Sequence, residues 1–362
     1  MLTFDAPGAA RHAGIGGGPG ALRGRRHAEP LVIGASARAA PTAGVGLQSA
    51  GGSDMGPVVV FAHNEERRIL AALTSIEQAR PATASPFDIF VLINGSTDCT
   101  ERLVDAYAAE RTHVHPIVIG RGDKSNAWNH YIHDVAGDAD VHFFMDGDVR
   151  VVPGSFDVLH DALVRAPEAR AAAGVPMSGR NETGWRRHIV TNHGMPGCLY
   201  ALRGELVAEM RRRGLRLPVG LIGEDVLLQW LVKHDLGDSP HEIKENIAPC
   251  PTAGFEFDSL SPWKLENWQV YAKRLRRNSL RYLQMRIIHN ILKEKGVEGL
   301  PGDMEEIYDE QQLTALRPRR KWRERPIDVM TLRQLRAKAR TRAAAGAAEV
   351  DERSAGGTGA VR

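Results

Sequence analysis

The chain repeats one pattern: a short apolar run, a polar loop, then a stretch with apolar residues at helical spacing. Val58-Val59-Val60-Phe61, Ile89-Phe90-Val91-Leu92-Ile93, Ile117-Val118-Ile119 and Val141-His142-Phe143-Phe144-Met145 are the runs. Short apolar runs without period-two alternation fit strands covered on both faces, as in a parallel sheet. After the first run, Ile69, Leu70, Leu73 and Ile76 fall on one face of a helix expected over residues 65–78. Leu103, Val104 and Tyr107 mark the next helix, with Ser96 or Asp98 available to cap it. Strands alternating with helices predict an α/β domain built on a mostly parallel, doubly wound, Rossmann-like sheet. Ligands of such sheets bind beyond the carboxyl ends of the strands. Each run here ends in a polar loop.

This pattern occupies residues 56–290. Residues 1–55 are rich in Gly, Ala and Arg and show no periodicity, so they are expected to be disordered. The run Gly14–Gly20 has no strand before it and no Lys-Ser/Thr after it, which reads as linker instead of a phosphate loop. Residues 291–336 are expected to form a basic helical extension, and residues 337–362 a fraying tail. A formal net charge of +3 gives no reason to expect a nucleic-acid partner. Cys99, Cys198 and Cys250 lack CxxC spacing, which fits a reducing, cytoplasmic setting. Neither a membrane-spanning apolar run nor a secretory signal is expected.

Two acidic motifs carry the chemistry. Asp146-Gly147-Asp148 ends the fourth apolar run, and carboxylates at this spacing suit a hard divalent cation, Mn²⁺ or Mg²⁺. The competing reading is an acidic turn. An EF-hand is excluded, because Val and Pro fill the later ligand positions. Gly223-Glu224-Asp225 opens an apolar helix, where acids either favour the helix dipole or hold a general base near an acceptor. Three more loops follow strands: Ala62-His63-Asn64-Glu65-Glu66, Asn94-Gly95-Ser96-Thr97-Asp98, and Gly120 to Lys124 leading into Ser125-Asn126-Ala127-Trp128-Asn129. Lys124 can neutralise a phosphate, bond a base or stand as a solvated lysine. Asn94 is expected to face the ligand and Asp98 to be structural.

Taken together and in this order, Asn64-Glu65, Asn94 to Asp98, Lys124 with Ala127 and Asn129, Asp146 to Asp148, and Glu224-Asp225 resemble the family 2 inverting glycosyltransferases. The resemblance covers about residues 57–290 and implies the GT-A fold. Gly197 to Arg203 looks like the family's acceptor-side strand. The resemblance implies a nucleotide-sugar donor held by Asn64, Glu65, Asn94, Lys124 and Asp146, with Mn²⁺ or Mg²⁺ at Asp148 and Asp146. It implies Asp225 as general base and Glu224 orienting the acceptor or bonding the pocket wall, the acceptor being a carbohydrate, a lipid-linked or a small-molecule hydroxyl. Asn94 stands where many members carry an acid that bonds the nucleobase, and Phe61 where many carry Pro, which leaves the base open. The Gln-x-x-Arg-Trp motif of processive members is absent, which implies single addition.

Residues 263–286 are strongly basic, with Lys264, Lys273, Arg274, Arg276, Arg277, Arg281 and Arg286 among aromatic and apolar residues. Three readings stand: an amphipathic helix packed on the domain, a diphosphate site at Arg274 or Arg277, or peripheral contact with a membrane surface at the inner face. Arg317 to Arg325 reads as a solvated arm. Rival functions are a sugar nucleotidyltransferase of similar fold, which would want a Gly-rich, Arg-containing loop after the first strand, and a non-catalytic basic protein binding membrane or nucleic acid.

Overall fold

The structure, a computed structural model, describes residues 55–79, 88–179, 181–258, 266–308 and 310–356, with backbone alone at 266–270, 310–311 and 343–356. The expectations for residues 1–54, including the Gly14–Gly20 run, lie outside the described residues.

Strands β1 (Val58–Ala62), β2 (Ile89–Asn94), β3 (Val114–Ile119) and β4 (Val141–Asp146) alternate with helices α1 (Ile69–Ala79), α2 (Thr100–Ala108) and α3 (Lys124–His130). Then come β5 (Val149–Val151), α4 (Ser155–Arg165), β6 (Ala171–Pro176), α5 (Glu182–Asn192), β7 (Leu199–Arg203), α6 (Gly204–Arg212), α7 (Glu224–Lys233) and β8 (Ile247–Phe257). Helices α8 (Glu266–Lys295), α9 (Glu310–Ala315) and α10 (Arg325–Gly356) follow.

The sheet order is β3-β2-β1-β4-β7-β6-β8-β5. The pairs β3·β2, β2·β1, β1·β4 and β6·β8 are parallel, whereas β7 runs against both β4 and β6, and β5 against β8. Six of the eight strands therefore point one way, and the mostly parallel α/β sheet expected from the apolar runs is present. Their continuous hydrophobicity has a simple cause. Val58, Val60 and Ala62 pack with Ile69, Leu73 and Phe156 on one face, while Val59 and Phe61 pack with Trp128, Tyr131 and Leu227 on the other. β3 begins at Val114 and includes Pro116, which a strand at the sheet edge tolerates because its missing N–H breaks no inner ladder.

Helix α1 starts at Ile69, later than its spacing predicted. The amide of Glu65 donates to Thr100 Oγ1 at 2.8 Å and that of Glu66 to Asp98 Oδ2 at 3.1 Å. Side chains from the neighbouring loop thus satisfy donors that a longer helix would have left at its end.

Helix α8 is two-faced. Ile288 and Leu292 join the sheet core, while Leu283, Ile287 and Ile291 form a separate core with Leu313, Leu316, Leu332 and Leu335. The boundary drawn at residue 290 falls within this helix, and α10 runs on past residue 337. Beneath that core, Asp328 is fully buried and accepts from Ser279 Oγ at 2.6 Å and from Arg319 Nη2 at 2.7 Å. No helix among the described residues is long and apolar enough to cross a membrane.

Candidate active site

The site forms where β4 ends beside the start of β7. Phe61 is in register with Asp146, and Met145 with Leu199, so Gly197 and Cys198 come alongside Asp146. The Asp146 amide donates to the Cys198 carbonyl at 3.3 Å, and the Gly147 amide to the Phe61 carbonyl at 2.8 Å. A Cβ at Gly147 would lie 3.0 Å from that carbonyl oxygen, so glycine lets the turn press onto β1 and projects Asp146 and Asp148 from the strand end.

Lys124 sits at the centre. Asp123 caps α3 by accepting from the Asn126 amide at 2.8 Å, which sets Lys124 on the first turn. The Lys124 ammonium donates to Asp146 Oδ1 at 2.5 Å and to the Gly197 carbonyl at 3.3 Å, and it lies 3.3 Å from Glu224 Oε1. Burial opposes its charge, but the carboxylates of Asp146 and Glu224 outweigh that and hold its pKa well above the ordinary lysine value. Beneath it lies an apolar floor, with Phe61 stacked on Phe144 and Phe144 on Tyr200. Water is displaced there, so charges act on one another more strongly than they would in solvent.

The carboxylates differ in state. Burial, with Asp148 adding negative charge, lifts Asp146 to about 6 against the pull of Lys124. Burial likewise raises Glu65, again helped by Asp148, although Arg68 donates to Glu65 at 3.1 Å. Burial works to raise Glu224, but the charge of Lys124 prevails and its pKa is lowered. Burial raises Asp225, with Glu224 adding to the effect, while Arg281 tempers it. Arg281 Nη2 lies 3.1 and 3.4 Å from the two Asp225 carboxylate oxygens.

Two acids open α7 because Gly223 makes the turn. Its φ is +100°, and a Cβ there would lie 2.7 Å from Arg281 Nε. Gln284, one turn further along α8, accepts from the Ile222 amide and donates to the Gly220 carbonyl, both at 2.8 Å. Asp123 Oδ2 accepts from the Gly220 amide at 2.9 Å. The loop before α7 is thus held from α3 on one side and α8 on the other.

Asp146, Asp148, Lys124, Glu224 and Asp225 come together, and Glu65 lies within their field. The asparagines lie elsewhere. Asn94 is 4% exposed, and its amide donates to the Ala62 carbonyl at 3.0 Å. This is a structural bond: an amide at the end of a buried strand takes a nearby carbonyl. Asn64, at φ +58°, accepts from the Thr97 amide at 2.8 Å and ties the β1 loop to the β2 loop. Asp98 is structural as expected, accepting from the Thr100 amide at 3.0 Å and from the Thr100 hydroxyl at 2.5 Å. Sequence reasoning missed Arg281 and Gln284. The basic run was visible, but nothing in it marked which arginine meets Asp225.

For a divalent cation the available donors are Asp148 and Asp146, with Glu65 near. No described residue donates a hydrogen bond to Asp148, and among the described residues no three His, Cys, Asp or Glu side chains form a closed cage. An open pair of carboxylates fits Mg²⁺ or Mn²⁺, which keep water and take phosphate oxygens as further ligands. All three cysteines are unpaired.

Residues 58–219 match the family described as glycosyl transferase family 2. No curated protein matches the chain. Among solved structures, the chain is similar to the mannosyltransferase PcManGT of Pyrobaculum calidifontis in complex with GDP-Man and Mn²⁺, at 17% identity and a TM-score of 0.47, covering 81% of this chain and 79% of that one. It is also similar to the glucosyl-3-phosphoglycerate synthase of Mycobacterium tuberculosis, at 19% identity and a TM-score of 0.42, covering 68% and 80%. A third likeness is to S. aureus TarS 1-349, at 14% identity and a TM-score of 0.41, covering 67% and 88%. The family match runs from β1 to the loop before α7 and takes in the strand-end loops and Asp146-Gly147-Asp148, so over these residues the chain is similar to the family 2 glycosyltransferases.

Proposed function

We propose that the protein moves one sugar from a nucleoside-diphosphate donor to an acceptor hydroxyl, with a divalent metal and with inversion at the anomeric carbon. One observation carries this reading: Asp146 and Asp148 leave β4 beside a half-buried Lys124, which also meets Glu224 in the pair Glu224-Asp225. Asp148, with Asp146, would hold Mn²⁺ or Mg²⁺. When bound, such an ion neutralises charge on the departing diphosphate.

The chain's own residues do the rest. Lys124 holds the Asp146 carboxylate and Gly197 in place and keeps the Glu224 carboxylate ionised. Asp225 takes the proton from the acceptor hydroxyl as it attacks. Its raised pKa brings it nearer neutral pH, where a base transfers protons most effectively. Glu224 orients the hydroxyl. Adjacent helical residues point about 100° apart, so one of the two acids faces the reacting atom. Glu65 shares the donor side with Asp148. Asn64 and Asn94 support that side indirectly, through the loops they tie.

Calorimetry of Asp148→Ala tests the reading. Nucleoside diphosphate affinity of the wild type should depend on Mn²⁺, and that dependence should vanish in the variant while its melting curve persists. Unchanged affinity with Mn²⁺ in the variant would remove Asp148 from the metal. Hydrolysis of a nucleotide-sugar panel with Mn²⁺ then identifies the donor.

A further inference from the structure

Helix α8 presents Arg274, Arg277, Arg281 and Gln284 at spacings of three, four and three residues, which places them on one face. Two members fix where that face looks. Arg281 meets Asp225, and Gln284 bonds Gly220 and Ile222 immediately before α7. The same face carried back toward the start of α8 rises from the proposed base to the surface. Arg277 lies one turn, about 5.4 Å, beyond Arg281. The charge of Arg277 reaches Glu224 and helps lower its pKa.

Arg274 and Arg277 are exposed, and neither forms a close ion pair with a described residue, although the charge of Arg277 is felt at Glu224. The acids nearby already have partners, Glu224 with Lys124 and Asp225 with Arg281. Two planar, permanently charged guanidiniums therefore stand without an ion-pair partner among the described residues, beside the proposed base. Such forks match the oxygens of a phosphate in bidentate fashion.

We propose that Arg274 and Arg277 form an acceptor subsite, and that the acceptor carries a phosphate monoester close to the hydroxyl that receives the sugar. This rests on the assignment of Asp225 to the acceptor side. In the proposed reading the donor's diphosphate belongs with Asp148, so the arginine face is spare for the second substrate.

The test uses the full-length protein and binding in place of turnover. Glycerol phosphate is titrated by calorimetry without metal, with glycerol as the uncharged control. Phosphatidylcholine vesicles doped with phosphatidic acid are assayed in parallel by cosedimentation. Saturable binding of the phosphate ester and none of glycerol is expected. Arg274→Gln and Arg277→Gln should each weaken it roughly tenfold, the loss of one charge-assisted contact. Both side chains are exposed, so their melting curves should match the wild type. Binding should survive Asp148→Ala and saturation with a nucleoside diphosphate and Mn²⁺.

Binding to the soluble ester points to a soluble phosphorylated acceptor, and arginine-dependent binding to the vesicles alone points to a lipid phosphate; both support the subsite. Absence of binding in both arms, or binding indifferent to both arginine changes, overturns it. Displacement by the nucleoside diphosphate also overturns it, by assigning the arginines to the donor. Donor hydrolysis with Mn²⁺ in the same preparation keeps the outcomes separate: a protein that hydrolyses donor but ignores phosphate leaves the transferase reading standing and removes this one.

Discussion

The guanidinium of Arg281 on α8 lies 3.1 Å from the carboxylate of Asp225 on α7, joining residues far apart in sequence at the proposed base. Burial raises the pKa of Asp225, and Arg281 is the strongest opposing influence. Arg281→Gln should therefore raise it further and move the acid limb of the kcat/KM profile to higher pH. Asp225→Asn should lower kcat by about 10²–10⁴-fold with donor affinity nearly intact. If the acids served the helix dipole alone, Asp225→Asn would lose about 0.3–1 kcal/mol of stability and little turnover. Steady-state rates across pH, with a melting curve for each variant, decide between them.

Gly197 leaves space that Lys124 uses. A Cβ there would lie 3.1 Å from Asp225 Cβ and 3.2 Å from Lys124 Nζ. Gly197→Ala should cost about 1–3 kcal/mol through overpacking and weaken donor binding by shifting the ammonium from Asp146. Lys124→Met should be worse, about 3 kcal/mol, because it leaves Asp146 and Glu224 without their shared cation. Urea denaturation gives the stabilities, and a variant Gly197→Ala as stable and as tight for donor as the wild type would show that the pocket yields freely.

The C-terminal helix is fastened to α8. Asp328 accepts from Ser279 and from Arg319, and removing it leaves Arg319 without that buried carboxylate. Asp328→Ala should cost about 3–5 kcal/mol and lower kcat, because α8 carries Arg281 and Gln284. Loss of stability with full turnover, measured well below the melting point, would confine the clamp to folding.

His142 sets a pH limit on stability. It is 1% exposed, and its Nδ1 lies 2.8 Å from the Tyr131 hydroxyl. Burial, aided by the positive charge of Arg211 and opposed by Asp138, lowers its pKa from 6.5 to about 4. Between those values the unfolded chain binds a proton that the folded chain refuses. Stability is thus complete above pH 6.5 and falls by about 1.4 kcal/mol for each pH unit below it, until the folded pKa is reached. The midpoint of urea unfolding should show this slope, and His142→Gln should flatten it. An unchanged slope in the variant would assign the effect to the carboxylates.

The strands were legible because their apolar runs serve two buried faces at once, and a run such as Val58–Phe61 leaves few other options. Asp146, Asp148, Glu224 and Asp225 were legible because acids at the end of an apolar run or the start of an apolar helix interrupt the pattern around them. The bond from Asn94 to the Ala62 carbonyl was not legible, since a buried asparagine that bonds a carbonyl and one that bonds a ligand look alike in sequence. Arg281 was hidden for a different reason. It is one of several arginines on a single helix, and only the packing of Gln284 and Leu283 decides which of them turns inward.

The clamp of Ser279 and Arg319 on Asp328 also sets an order of assembly. The sheet with Asp146 and Asp148 is encoded well before the helix that brings Arg281 to Asp225, and the residue that holds that helix is encoded later still. During synthesis the proposed donor half therefore emerges first, while the proposed acceptor half awaits α10. A chain released before residue 328 keeps its strand-end carboxylates and lacks the fastening for its arginine face. It would bind nucleotide without a firmly placed base, so nucleotide binding alone would not distinguish finished molecules from interrupted ones.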